Sequence, residues 1–405
     1  VRLIAIGSEV DAELKNAILA RKTPPPIDFV AKATLGQLAK NVDDIGHDDV
    51  KYFGGKVAGY GMLRDIGPQV VPAAVGFSFD LFDAFMAQAV DGMSLNARID
   101  AKLSAYTFPP NFAALQTDLD AVQDLIKDGS FTAVERDAVI SALSPFDANK
   151  KIRFRSSTNV EDSVNFTGAG LYASFSGCLA DDTDGDDVGP SRCDADETNE
   201  RGVLRAIKKV YASLYNDNAF IERLRRGVDE TKIGMAILAY KSYPDDDELV
   251  NGVATLWETG ATTRITLVSQ DGAVSVTNPS GSAEPEIVDI GIYFDGAYPT
   301  IRQYSTLVPI GQTLLAWPSE YEEMADYLVD FQGGYASRTG VAAPFALDFE
   351  YKKVKDLGLI FKQMRQIPWE TDTTPTAGTF LLDEGLDLCI MQGEGGTVFG
   401  NHRMK

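Results

Sequence analysis

Two short segments near the C-terminal end constrain this chain more than any others: FALDFEY, residues 345–351, and LIFKQMRQI, residues 359–367. Both alternate apolar and polar residues with period two, the pattern of strands that turn one face into a core. Asp348 and Glu350 therefore share a face, and Gln363 and Arg365 share a face by the same rule. The connection Lys355-Asp356-Leu357-Gly358 is short enough to make the strands antiparallel neighbours. A turn centred there sets Glu350 opposite Gln363 and Asp348 opposite Arg365. Two carboxylates and an amide oxygen suit a hard divalent cation, and a guanidinium beside them suits a phosphate, so the four residues read as a metal and polyphosphate site. The competing reading is a surface ladder of cross-strand charge pairs, and a one-residue slip would put the two pairs on opposite faces.

A chain of 405 residues, 44% of them hydrophobic, can bury a sizeable core and divides more naturally into two or three lobes than one. Its formal charge of −22 opposes attraction to nucleic acid and to anionic lipid. The same field repels ATP, so a nucleotide site here needs a local concentration of Lys, Arg and bound cation, and the few basic residues in strands gain weight. No apolar run is long enough for a membrane-spanning helix, and the N-terminus lacks the pattern of an export signal. The chain starts at Val1 rather than Met, as a processed or excised chain would.

Cys178 and Cys193 bracket the acidic stretch CLADDTDGDDVGPSRC, while Cys389 stands far away. The bracket reads either as a disulfide-stapled loop, which favours an oxidising compartment, or as a solvated acidic insertion. Asp182, Asp184 and Asp186 alternate around Gly185, a spacing compatible with a Ca2+ loop, although the distal bidentate Glu of an EF-hand is not evident.

Along the chain, a helical stretch after Ser8 stops at Pro24-Pro25-Pro26, and Gly54-Gly55-Lys56 precedes another helical pattern. Gly-Gly-Lys at a helix start can offer free N–H groups and an ammonium to phosphate, but the tripeptide is common. Residues 80–143 read as helical scaffold. In KIRFRSSTNVEDSVNFTGAG, residues 151–170, a strand runs into a polar loop, and Arg155 stands at the junction. There it can hold an anion with Ser156, Ser157 and Thr158 supplying donors, or pair with Glu161 or Asp162. A helical pattern over 200–226, strand-like runs IGMAILAY, VNGVATLW and TRITLVSQ, and a helix over 321–331 complete an α+β chain with a helix-rich first lobe and a β-rich second one.

These segments, in this order, resemble the nucleotide-binding domain shared by phosphoenolpyruvate synthase (pyruvate, water dikinase) and pyruvate phosphate dikinase. The likeness runs from Gly46 to Pro368. It rests on GGK with VPAAVGFSFDLFDAFM, on RSSTNVEDSVNFTGAGLYASF, on VYASLYNDNAFIERLRRG, on NGVATL, and on DFEYKKVKDLGLIFKQMRQIP with its D-x-E and Q-x-R pairs. The resemblance implies a two-lobed, ATP-grasp-like fold: an extension over 1–45, a first ATP-binding lobe over 46–230 with an acidic insertion at 178–199, a second lobe over 231–368, and a tail over 369–405. Carried over residue by residue, it implies that Lys56 and Arg155 bind ATP phosphates. Asp348, Glu350 and Gln363 would hold Mg2+ or contact the nucleotide, and Arg365 would stabilise the transferring phosphoryl group, with Arg155 as the second catalytic candidate.

The family passes its phosphoryl group to a histidine on a separate domain, so the resemblance also implies a phosphohistidine-domain partner or a further domain. Here His47 and His402 are the only histidines, and neither sits in the Gly-rich, Ser-His-Ala context of the family. Gln366 and Ile367 stand between Arg365 and Pro368, and DGAVSVTNPSGSAEPE replaces the family's Gly-Leu-Gly-Glu loop. Three functions are compatible with these features. The first is the ATP-binding, phosphoryl-donating part of a phosphoenolpyruvate synthase-like enzyme, cytoplasmic if it uses ATP. The second is a kinase for another small molecule. The third is an exported, catalytically inactive binding or structural module, which a Cys178–Cys193 disulfide would favour.

Overall fold

The protein is represented by a computed structural model that describes residues 13, 26–161, 168, 170–186, 188–274, 276 and 283–369. Apart from residues 13 and 369, the helical stretch expected after Ser8 and the tail lie outside the described residues, as do Asp162, Cys389 and His402.

The chain is α+β, with two antiparallel sheets and helices packed on each. The first sheet orders its strands β1 (Ala39–Asn41), β2 (Ala74–Phe77), β7 (Met235–Lys241), β5 (Ile152–Thr158) and β6 (Ser174–Gly177). The second orders β11 (Gly296–Gln303), β10 (Glu286–Tyr293), β9 (Thr263–Asp271), β8 (Glu248–Glu258), β12 (Phe345–Val354) and β13 (Gly358–Ile367). A small ribbon pairs β3 (Ala89–Val90) with β4 (Met93–Ser94).

Period-two patterning gives the second sheet one buried face. On β8, Val250, Ala254 and Leu256 are buried, and Ile265 and Leu267 on β9 and Val288 and Ile290 on β10 continue that face. Two helices cover it: α1 (Val50–Ile66) and α8 (Ser319–Thr339). On α8 the buried residues Tyr321, Met324, Ala325, Leu328, Phe331 and Tyr335 recur at the three-to-four spacing of one helical stripe. The first sheet buries its face against α2 (Phe79–Met86), α3 (Leu95–Leu103), α4 (Phe112–Asp128), α5 (Ala133–Leu143), α6 (Val203–Ala212) and α7 (Asp217–Arg225). Its centre is β7, whose Met235–Tyr240 are all buried, as expected of a continuous apolar run between two neighbours.

Two elements lie on the far side of the 230/231 boundary read from sequence. β7 belongs to the first sheet, whereas α1, early in the chain, contributes Val57, Tyr60 and Leu63 to the core of the second. The two lobes therefore interlock. Gly59 makes the interlock possible, because a Cβ there would stand 2.6 Å from the Met364 carbonyl oxygen on β13.

The hairpin closes as the sequence indicates, but by a different route. Its turn is one residue tighter, with Val354 opposite Gly358 and Asp356 and Gly358 at φ 62° and 77°. A β-bulge at Glu350/Tyr351 then shifts the register by one, so that Glu350 faces Gln363 and Asp348 faces Arg365. The extra residue of the bulge is Lys362.

Candidate nucleotide site

Arg155 leaves β5 and crosses to the second sheet. Its two terminal nitrogens donate to the Glu350 carboxylate at 2.8 and 2.9 Å, and Nη2 also donates to Gln363 Oε1 at 2.8 Å. This is the planar two-pronged geometry that only arginine offers a carboxylate. The Arg155 side chain is 13% exposed and that of Glu350 32%, so the pair sits at the floor of a cleft. Beside it on the hairpin, Arg365 donates to Asp348 Oδ2 from Nη2 at 2.8 Å and from Nε at 3.1 Å.

The Gly-Gly-Lys segment reaches the same region through local backbone chemistry. Gly54 interrupts α1 with φ 73°, ψ 174°, and a Cβ on it would stand 2.5 Å from the Ser157 carbonyl oxygen. Only glycine fits there. The helix restarts beyond it, and Ser157 Oγ accepts from the Val57 N–H at 3.1 Å while donating to the Phe53 carbonyl at 2.7 Å. Ser157 thus caps a helix from a different strand. Lys56, in that first turn, forms an ion pair with Glu161 in which both side chains are largely buried.

Three of the sequence expectations need correction. Ser157 and Thr158 do not surround an anion: one caps α1, and Thr158 Oγ1 accepts from the Glu161 N–H at 2.8 Å. Arg155 pairs with Glu350 rather than Glu161. Asp182 does not join Asp184 and Asp186, because its carboxylate accepts from the Leu204 N–H at the start of α6. The three-acid group among the described residues is Asp184, Asp186 and Glu200, and Asp184 already pairs with Arg192 Nε at 3.0 Å, so a Ca2+ site gains no support. The structure does join Cys178 and Cys193 in a disulfide, with Cα atoms 5.7 Å apart.

The electrostatics reflect burial set against charge. Burial disfavours ionised Glu350, but Arg155, Lys362 and Lys56 outweigh it and hold the carboxyl well below the usual carboxylate range. Burial likewise works against the Arg155 cation, and Glu350 and Tyr240 more than restore it. Lys362, 3.9 Å from Glu350, is the exception: burial outweighs Glu350, Lys352 and Arg155 add repulsion, and its ammonium is lowered to about 7.

Sequence reasoning missed Lys362. Strict alternation assigns it to the face opposite Gln363, that is, into the core. A lysine at an expected core position was the available signal, and the bulge resolves it by turning the side chain toward Glu350.

Arg155, Glu350 and Lys362 line a cleft of about 390 Å³ between the sheets, together with Arg153, Tyr240 and Lys352. Cations outnumber acids in its walls, against a global charge of −22. Arg365 opens on a second cleft of about 410 Å³, which Gly55, Asn159, Glu161 and the exposed His47 also line. The structure therefore assembles the candidate residues as three ion pairs, Arg155–Glu350, Arg365–Asp348 and Lys56–Glu161, with Gln363 bound to the first.

Phosphoenolpyruvate synthase of Pseudomonas aeruginosa (strain UCBPP-PA14) is 27% identical over 205 residues, covering 48% of this chain and 22% of the relative. Phosphoenolpyruvate synthase of Escherichia coli (strain K12) is 27% identical over 210 residues, with the same coverage of both chains. The matched part is thus about a fifth of the length of these curated relatives. The family described as pyruvate phosphate dikinase, AMP/ATP-binding domain, matches residues 50–270, from the start of α1 through β9. On that match, extending over more than half of its length, the chain belongs to the pyruvate phosphate dikinase AMP/ATP-binding domain family.

Proposed function

We propose that the chain binds ATP in an ATP-grasp-like cleft between its two sheets and acts as the phosphoryl-donating part of a phosphoenolpyruvate synthase-like phosphotransferase. The observation that carries this reading is the Arg155 clamp. One guanidinium joins the first sheet to Glu350 and Gln363 of the second at the floor of a cation-rich cleft, inside a chain whose net charge would otherwise repel a nucleotide.

A triphosphate lying across the two clefts offers Arg155 and Arg365 a more highly charged partner than one carboxylate each. Carboxylate oxygens of Asp348 and Glu350 and the amide oxygen of Gln363 would then be released beside the phosphates. They are hard donors of the kind Mg2+ takes when it is shared between protein and phosphate, so the residues fit the ion. Bound there, Mg2+ would neutralise phosphate charge. Lys56, in the first turn of the restarted α1, brings an ammonium to a helix N-terminus, the natural place for an anion. Arg365 is the group assigned to the transferring phosphoryl, whose acceptor is a phosphohistidine-bearing partner or further domain.

The test is ATP consumption with Mg2+ by the wild type and by Arg365→Ala. Removing the guanidinium that meets the transferring group should cut turnover by about 10³-fold, a larger effect than the accompanying loss of ATP affinity. Equal turnover in the two proteins would remove Arg365 from the reaction. A second reading, an exported module that retains the cleft without transfer chemistry, draws on the Cys178–Cys193 disulfide. Counting thiols in the denatured, unreduced protein tests the disulfide directly: one reactive thiol, from Cys389, is expected, and three would dismiss it.

A further inference from the structure

Outside the clefts already described, the strongest unassigned feature lies at the edge of the first sheet. β6 is the terminal strand there, and between it and α6 lies a cleft of about 240 Å³. Five cations line it, Lys151, Arg153, Arg201, Arg205 and Lys209, against one acid, Glu197. Arg201, Arg205 and Lys209 succeed one another at four-residue intervals, so they form a single stripe of like charge leading into and along α6. Like charges at that spacing destabilise a helix on their own account. Two of the five are neutralised locally: Arg201 by Glu197 and Lys151 by Asp194. Arg153, Arg205 and Lys209 have no carboxylate partner among the described residues. The Arg153 guanidinium donates to the Ser176 hydroxyl at 3.4 Å, and the Lys209 ammonium lies over the Phe175 ring, 5.0 Å from its centroid. Burial, then Arg205, Arg201 and Lys127, lower the affinity of Lys209 for its proton.

The walls are built rather than incidental. Asp181, which is buried, accepts from the Arg192 and Arg201 N–H groups at 2.8 Å each, and the Cys178 N–H donates to the Arg201 carbonyl at 2.8 Å. With the Cys178–Cys193 disulfide, these bonds hold the loop of Ser191 and Arg201 against the edge strand. Ser191 Oγ and Ser176 Oγ both accept hydrogen bonds, which leaves each hydroxyl proton to be donated to an acceptor in the cleft.

We propose that this cleft is a binding site for a phosphate-class oxyanion, a dianionic phosphoryl group held by Arg153, Arg205 and Lys209. Guanidinium forks, an ammonium and serine hydroxyls are the donors that such an ion takes, and an ammonium crowded by other cations gains from its arrival. The volume falls below the roughly 300 Å³ at which drug-sized pockets begin, which suits a phosphate and excludes a whole nucleotide. Two sources share that chemistry. Arg153 and Ser174 also line the cleft assigned to the nucleotide, so the group is either free phosphate or the phosphoryl end of a ligand lying across both clefts.

The experiment is calorimetric titration of inorganic phosphate into the wild type, Arg205→Ala and Lys209→Gln, without and with saturating ATP. Thermal unfolding of each variant establishes that it is folded. Arg205 is exposed, so its truncation leaves the core intact. Each substitution should weaken phosphate binding on the order of tenfold, the loss expected for one charge-assisted hydrogen bond, while Arg264→Gln on the other sheet should not. Phosphate affinity unchanged by ATP identifies free phosphate. Phosphate binding abolished by ATP, with both variants also weakening ATP, identifies the phosphoryl end of the neighbouring ligand. No heat with millimolar phosphate, or equal affinity in the wild type and both variants, overturns the proposal. The outcome is separable from the proposed function, because ATP can bind its own cleft whether or not phosphate binds here.

Discussion

A lysine pressed against a buried carboxylate and guanidinium keeps its charge with difficulty, and Lys362 is such a residue. With its ammonium lowered to about 7 from an ordinary 10.5, the folded protein binds fewer protons than the unfolded chain between those limits. Stability therefore rises with pH across that window, and Lys362→Met should flatten the rise. An incoming triphosphate reverses the balance by adding negative charge beside the ammonium. ATP binding near pH 8 should accordingly take up protons, up to about one per site, seen as a dependence of binding heat on buffer ionisation enthalpy. The Lys362→Met protein should show none of this dependence. At this scale the sequence is readable where residue chemistry is distinctive: alternation and charge single out Arg155, Glu350, Gln363, Asp348 and Arg365, and all lie in ion pairs or hydrogen bonds with one another. Ser157 and Asp182 mislead because a hydroxyl or carboxylate beside a helix start serves equally as a cap, and only the fold says which helix is near.

Among elements, the hairpin and the break in α1 carry the site. The register of β12 against β13 is legible at Asp348 and Glu350 because a tighter turn and a bulge displace it in opposite senses and cancel. The turn leaves no mark in period-two patterning, but the bulge does: Phe361 and Met364 both enter the core, and the adjacent polar pair Lys362-Gln363 records the change of phase between them. The break at Gly54 is a stricter constraint. Gly54→Ala must adopt φ 73° and also displace the Ser157 carbonyl, so we expect a loss of at least about 2 kcal/mol in denaturant unfolding. Because Ser157 would lose its capping register on α1, the Lys56–Glu161 pair should loosen as well, whereas Gly92→Ala, at φ 82° in the turn between β3 and β4 but with no atom near its Cβ, should cost less. Equal losses at the two glycines would show that backbone strain alone matters and that the close approach of α1 to β5 does not.

Over the whole molecule, two antiparallel sheets share α1, and Arg155 bridges them across 195 residues of sequence. Composition and alternation indicate an α+β chain with two lobes. They give no means of allotting β7 to the first sheet or α1 to the core of the second, since both depend on long-range pairing that no local pattern encodes. The interlock makes the cleft a property of both sheets together, and it explains how a chain of charge −22 can present a locally cationic surface: the basic residues of β5, β12 and β13 converge there while acids populate the exterior. The central claim is that this convergence binds ATP through Arg155 and Glu350 with Mg2+. Calorimetric titration of ATP into the wild type and Glu350→Ala, each with and without Mg2+, tests it most directly. The account predicts binding by the wild type that Mg2+ strengthens, and in Glu350→Ala a weaker affinity that Mg2+ no longer improves. Absence of binding at millimolar ATP, or a Mg2+ effect of equal size in both proteins, would contradict it.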